Sequence, residues 1–330
     1  MGYINLGISI ILLLFTGYIY KKFQINVIRD DKLEELNIIK KYLLDETHVG
    51  AIEQLMSIDK PILWIHIEYD RNLRKWESFN SRSSEELNQD YLYLTLLSII
   101  NKCSDYFHIV LIDDYSFDKL IDDWNVDLTK IGNVQKENIR TMGLMKILYK
   151  YGGILMEPSY ILLKSIKPIY ENIIATRKPC VGEFVNESVD SHIMNFAPSL
   201  KFIGALKNCP KIHELGKHLE IMVNKDHTFS NKLKGELSNW LYNKAETGEI
   251  NYINGKFLGT RDSGNKAIDL GVLLGSSYLD MNTNAYGLYI PRNDLLKRTA
   301  YNWFVYLNTQ QVLESNTNIG KYLLISNEQK

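Results

Sequence analysis

Apolar residues in this chain fall into two kinds of run. Short unbroken blocks such as Ile62 to Ile67 (ILWIHI) and Phe107 to Ile112 (FHIVLI) are rich in isoleucine. Blocks of that length and composition predict strands buried on both faces. Other segments repeat apolar residues every three or four positions and predict helices. Leu87, Tyr91, Leu94 and Leu97 share one helical face behind the capping-box spacing Ser83 to Glu86. Met142, Met145, Leu148 and Tyr151 share another, in a helix predicted over Arg140 to Tyr151 and stopped by Gly152-Gly153, where a left-handed cap is available. Ile154 to Leu163 reads as extended, and Cys180 to Val185 as a further strand. Strands alternating with helices predict an α/β sheet. In such sheets ligands sit at the carboxyl ends of the strands, and Asp113-Asp114 falls at one.

The first 59 residues follow different patterns. Residues 3–20 (YINLGISIILLLFTGYIY) carry no charge and are followed at once by Lys21-Lys22. Eighteen residues of helix rise about 27 Å, enough to cross a hydrocarbon core. Tyr3, Tyr18 and Tyr20 stand where interfacial aromatics belong. No basic residue precedes the run and no small-residue cleavage site follows it, so a single membrane anchor over residues 1–25 is expected rather than a cleaved signal peptide. Lys21, Lys22 and Arg29 place the body of the protein on the cytosolic side by the positive-inside rule. Leu33, Leu36, Ile39 and Leu43 predict a helical stalk over residues 26–59, and Lys60-Pro61 ends it. The globular domain is expected over residues 60–330.

Composition narrows the function. The 38 Lys and Arg balance 39 Asp and Glu, for a net charge of −1. Nucleic-acid binding normally leaves a basic excess, so no nucleic-acid partner is expected. Cys103, Cys180 and Cys209 are far apart and form no CxxC, which excludes the usual structural zinc sites and suits a reducing compartment. His213-Glu214 and His218 have HExxxH spacing. That five-residue step turns about 500°, so the two rings do not share a face as a zincin requires. His66-x-Glu68 with Pro179-Cys180 lacks the second cysteine of a deaminase.

One stretch is specific. Leu148-Tyr149-Lys150-Tyr151-Gly152-Gly153-Ile154-Leu155-Met156-Glu157-Pro158-Ser159 resembles the core of glycosyltransferases with a DXD sugar-binding region, closest to the capsular-polysaccharide-synthesis type. The Trp64-Ile65-His66, Ile112-Asp113-Asp114 and Leu296-Lys297-Arg298 segments extend the likeness to the branch of that family found in large DNA viruses. The resemblance implies a GT-A-like, Rossmann-related nucleotide-sugar fold behind one N-terminal transmembrane helix. It implies a nucleotide-sugar site drawn from His66, Asp113, Asp114, Arg140, Gly152 and Gly153. It also implies a Mn²⁺ or Mg²⁺ ion, because two carboxylates two residues apart on an extended segment point to one side and hold the ion that neutralises a diphosphate leaving group.

The sequence departs from that pattern where the metal would bind. The two DXD aspartates fall on Glu157 and Ser159, which remain the metal candidates, with Pro158 between them. Thr141 stands where the family has an aspartate and Leu144 where it has an arginine, with Arg140 one turn away. Asp113 and Asp114 read either as ligands of ribose or metal or as caps of the next helix, and His66 as a base or as a hydrogen-bonded core residue. Three functions follow in order. The first is a membrane-anchored, single-pass glycosyltransferase. The second is a catalytically inactive relative, a structural or minor capsid protein tying an internal virion membrane to capsid proteins. The third is a module that binds a sugar or nucleotide without transfer.

Overall fold

A computed structural model of the chain describes residues 41–44, 60–68, 89–192, 194–225 and 230–328. The chain divides into two units, Met1–Leu43 and Leu44–Lys330, and the fold that follows is that of the second. The expected anchor, nearly all of the stalk and the Ser83–Glu86 capping box lie outside the described residues. Among the described residues no helix is long and apolar enough to cross a membrane.

The two isoleucine-rich blocks form neighbouring strands. β1 (Ile62–His66) and β2 (His108–Ile112) pair in parallel, Trp64 opposite Val110. β3 (Gly153–Met156) runs parallel on the other side of β1, with Trp64 opposite Leu155. The long strand β6 (Phe196–Ala205) then pairs antiparallel with β3 and with β5 (Cys180–Val185), and β7 (Asn251–Ile253) closes the edge parallel to β5. The order is therefore β2-β1-β3-β6-β5-β7, a mixed α/β sheet in which only β6 runs against the rest. A second, two-stranded sheet joins β4 (Tyr160–Leu162) to β8 (Gly287–Tyr289).

Both faces of the main sheet are covered, as the unbroken apolar runs require. Trp64, Val110, Ile112, Leu155, Val181 and Ile203 share one core, and helices close over it. α3 (Asn133–Tyr151) contributes Leu148, α5 (Pro210–Lys225) contributes Leu215, and α6 (Ser230–Glu246) contributes Leu241. The alternate residues Leu63, Ile65, Ile109, Leu111 and Ile154 are equally buried on the opposite face, and there Ile173 of α4 (Lys167–Thr176) packs against Gly204 and Ile154. α1 (Asp90–Cys103) lies against the Pro158–Leu162 segment: Thr95 Oγ1 donates to the Pro158 carbonyl at 2.7 Å and Ser98 Oγ accepts from Leu162 N at 3.0 Å. The first strand, the second strand and Cys180–Val185 fall where the apolar runs place them.

Two expectations change in detail. The helix before the double glycine begins at Asn133, not Arg140. Its first two turns are mostly polar and leave no apolar signature. Ile154 to Leu163 is two strands in two sheets, because the chain turns at Pro158–Ser159. Proline lacks the N–H that would continue a ladder, so the last bond of this edge is Glu157 N to the Lys201 carbonyl at 3.1 Å.

The Gly152-Gly153 pair sets how closely α3 and β3 approach β1. Gly152 has φ 72° and Gly153 φ 105°, both in the region that favours glycine. A side chain on Gly152 would collide with the Lys207 backbone, and one on Gly153 with the Ile62 carbonyl. Trp64 Nε1 completes the junction by donating to the Gly152 carbonyl at 2.9 Å. Replacing Leu148, fully buried beneath this turn, by alanine is expected to cost about 2–5 kcal/mol. Gly153→Val is expected to cost at least as much, because backbone rather than a yielding side chain opposes it. Urea unfolding of the variants measures both, and a Gly153→Val midpoint equal to wild type would contradict this account of the junction.

Candidate functional site

The sheet's strand order reverses between β1 and β3: the chain passes from β1 outward to β2, then returns to the other side of β1. Ligands in open α/β sheets bind outside the carboxyl ends of the strands at such a switch point. The polar residues gathered at that end come from five separate segments. His66 ends β1 and Glu68 follows it, Asp114 lies just past β2, and Arg140 reaches in from α3. Glu157 follows β3, and Arg292 opens α9 (Arg292–Lys297) just after β8.

Asp114 is the hub. Arg140 grips it with two donors, Nε to Oδ1 at 2.7 Å and Nη2 to Oδ2 at 2.6 Å. His66 Nε2 donates to Oδ1 at 3.1 Å, and the imidazole stacks on Phe117 of α2 (Phe117–Leu120). Burial alone would raise the Asp114 pKa, but the hydrogen bonds and charges of His66 and Arg140 outweigh it and hold the carboxyl well below the usual range. Arg140 Nη1 also lies 3.6 Å from Glu68 Oε2, and Arg292 Nη1 lies 3.9 Å from the same oxygen. The two arginines thus share one carboxylate.

Glu157 sits differently. Its Oε2 accepts from the Tyr289 hydroxyl at 2.8 Å. Burial raises its pKa, against the pull of Lys201, the Tyr289 hydrogen bond and Arg292. Lys201 lies over the Tyr289 ring and pairs with Glu187, so a second ionic group adjoins the first.

The residues expected from the sequence are therefore only partly brought together. His66, Asp114 and Arg140 meet. Asp113 caps the short turn after β2: its Oδ1 accepts from Tyr115 N at 3.0 Å and Ser116 Oγ at 2.7 Å. Gly152 and Gly153 stand at the amino end of β3, the opposite edge of the sheet, where close packing accounts for them. Ser159 is fully buried and its hydroxyl has no hydrogen-bond partner.

The divalent ion implied by the resemblance does not fit this donor set. Glu157 is a single carboxylate engaged by a tyrosine hydroxyl, with Lys201 and Arg292 as cationic neighbours. Asp114 is neutralised by Arg140 and hydrogen-bonded by His66. The turn at Pro158–Ser159 also removes the extended geometry that would set residues 157 and 159 side by side. Among the described residues no three His, Cys, Asp or Glu side chains are grouped to hold a metal. HExxxH is likewise dispersed: His213 packs at a tilt against Tyr149, His218 stacks on Trp240, and Glu214 pairs with Lys211.

Glu68, Tyr91, Lys201, Tyr289 and Arg292 were not legible as site residues. Glu68 had a local signal, its spacing from His66, but Arg292 joins β1 only through the fold. Comparison of the chain with protein-family models and with curated proteins gave no match.

Asp114→Ala strands the buried Arg140 charge and is expected to cost about 3–5 kcal/mol, and Arg140→Ala somewhat less because Asp114 is only half-buried. Folding lowers the Asp114 pKa, so its stabilisation is complete above the unfolded carboxylate value of about 3.9 and fades as pH falls below it. Wild type should lose stability through that acid range more steeply than Asp114→Asn. Equal acid profiles in denaturant melts would refute the assignment.

Proposed function

We propose that this chain is a glycosyltransferase-related protein, with a GT-A-like fold and one N-terminal membrane anchor, that takes a nucleotide sugar at the carboxyl ends of β1, β2 and β3. The observation that carries the reading is the convergence of His66, Glu68, Asp114, Arg140, Glu157 and Arg292 at the β1/β3 switch point. The resemblance around Gly152-Gly153 and Glu157 supports it, because the structure gives that segment a helix, a tight glycine turn and a central strand ending beside the cluster.

In this reading the Arg140–Asp114–His66 group is a rigid wall. The bidentate pair fixes the end of β2 against α3, and His66 holds β1 in register with it. Glu68 forms the more exposed rim, with the largely buried Arg292 beside it. Sugar hydroxyls would meet carboxylate acceptors there, and phosphate oxygens would meet guanidinium donors.

A second reading is favoured by one feature, the replacement of the expected carboxylate pair by Glu157-Pro158-Ser159. A chain that has lost the ion's ligands can persist as a catalytically silent membrane protein, in the virion case linking membrane to capsid proteins. The first reading expects calorimetric heat when UDP- and GDP-sugars are titrated into the full-length protein in detergent. No heat with any common nucleotide sugar would favour the second. The anchor has its own test: carbonate extraction should leave the full-length chain in the membrane pellet, and its release into the supernatant would contradict a span over residues 3–20.

A further inference from the structure

Buried polar atoms in a folded protein nearly always have partners, and each one left without costs stability. Five orphaned groups lie on neighbouring segments near the switch point: Gln89 Oε1, the Tyr160 hydroxyl and three more. Tyr91, in the first turn of α1, is fully buried with its hydroxyl unpartnered. Ser159 Oγ is in the same state. Arg292 is 13% exposed, its Nε has no partner, and its contact with Glu68, at 3.9 Å, lies beyond hydrogen-bond length.

Backbone links hold these three segments side by side. Thr95, one turn after Tyr91, bonds the Pro158 carbonyl, next to Ser159. Ile290 N donates to the Ser159 carbonyl at 3.0 Å, two residues before Arg292. The charge of Arg292 bears on Tyr91 as well as on Glu157. A tyrosine hydroxyl, a serine hydroxyl and a guanidinium N–H all donate. Unfilled donors on segments adjoining a cation ask for an anionic oxygen. Glu68, at 3.9 Å, lies beyond hydrogen-bond length of Arg292, and Glu157 is bound by Tyr289, so neither carboxylate fills that role.

We propose that Arg292, with the Tyr91 and Ser159 hydroxyls, forms an oxyanion site that receives the diphosphate of the nucleotide and takes the place of the divalent ion. The assignment rests on the nucleotide-sugar reading for the identity of its ligand. It explains together why the carboxylate pair is missing and why three buried donors are unfilled. Binding, on this account, does not depend on a metal.

The probes are inorganic pyrophosphate, UDP and GDP, titrated into the full-length protein by calorimetry in EDTA and again with Mn²⁺. Pyrophosphate and one of the two nucleotides should bind in EDTA with dissociation constants within about twofold of those in Mn²⁺. Arg292→Gln should weaken both on the order of tenfold to a hundredfold, the loss of a charge-assisted hydrogen bond. Tyr91→Phe should weaken them by less, yet leave the melting temperature of the unliganded protein unchanged or higher, because it removes an unfilled hydroxyl. A purely structural tyrosine would not separate affinity from stability in that way.

Nucleotide binding that needs Mn²⁺ and disappears in EDTA overturns this site and leaves the nucleotide-sugar reading intact. Pyrophosphate binding that depends on Arg292, with no added affinity for either nucleotide or any UDP- or GDP-sugar, supports the oxyanion site and overturns the reading instead. Pyrophosphate affinity unchanged by both Arg292→Gln and Tyr91→Phe overturns the site, as does the absence of any binding in EDTA.

Discussion

One half-buried carboxylate organises the carboxyl-end edge of this sheet. Asp114 joins β2 to α3 through Arg140 and to β1 through His66. Neither partner could be removed without stranding a charge or a polar ring in a mostly apolar setting. A bidentate guanidinium–carboxylate pair also fixes direction as well as distance. The register of three elements is thereby set where the strand order reverses. The opposite edge is set by a different constraint, the absence of side chains at Gly152 and Gly153, which lets β3 start against β1. Charge fixes one end of the central strands and close packing fixes the other.

That division explains why polarity is concentrated where it is. The central strands β1, β2 and β3 are apolar except for the histidines that end β1 and open β2, so the sheet can be covered on both faces by helices. Polar groups then collect beyond the strand ends, where helix starts and loop exits leave room for them. Asp113 and Asp114 illustrate the two outcomes for adjacent residues. Asp113 satisfies the N–H groups of the turn that follows it, a local role. Asp114 reaches across the chain to a residue 26 positions away. The Glu157 carboxyl, one strand further on, is tied to Tyr289 and the Lys201–Glu187 group, and Arg292 lies between the two systems.

Much of the fold was legible because burial on both faces leaves unbroken apolar blocks, as in Ile62 to Ile67 and Cys180 to Val185. The turn at Gly152-Gly153 was legible because only glycine takes those angles without strain. The strand Phe196–Ala205 was not: it carries Pro198, Ser199 and Lys201, and the sheet admits them beside a register shift at Val181/Gly182. The start of α3 was missed because Asn133 to Lys136 has no apolar stripe and is helical through backbone bonds such as Lys136 N to the Gly132 carbonyl. At the site, His66, Asp114 and Arg140 could be nominated from strand ends and from the resemblance. Their mutual contact could not, since nothing local ties residue 66 to residue 140. Arg292 and Tyr91 gave no signal at all, because an unfilled hydrogen bond is a property of the folded surroundings.

On the proposed reading, this protein meets its ligand at the carboxyl ends of β1 and β3. The most direct measurement is a crystal structure of the protein with its tightest-binding nucleotide sugar. The account predicts diphosphate density over those strand ends, with Arg292 within hydrogen-bond distance of a phosphate oxygen. Nucleotide density at the amino end of the sheet, beside Gly152 and Gly153, or along the β5–β7 edge would contradict it.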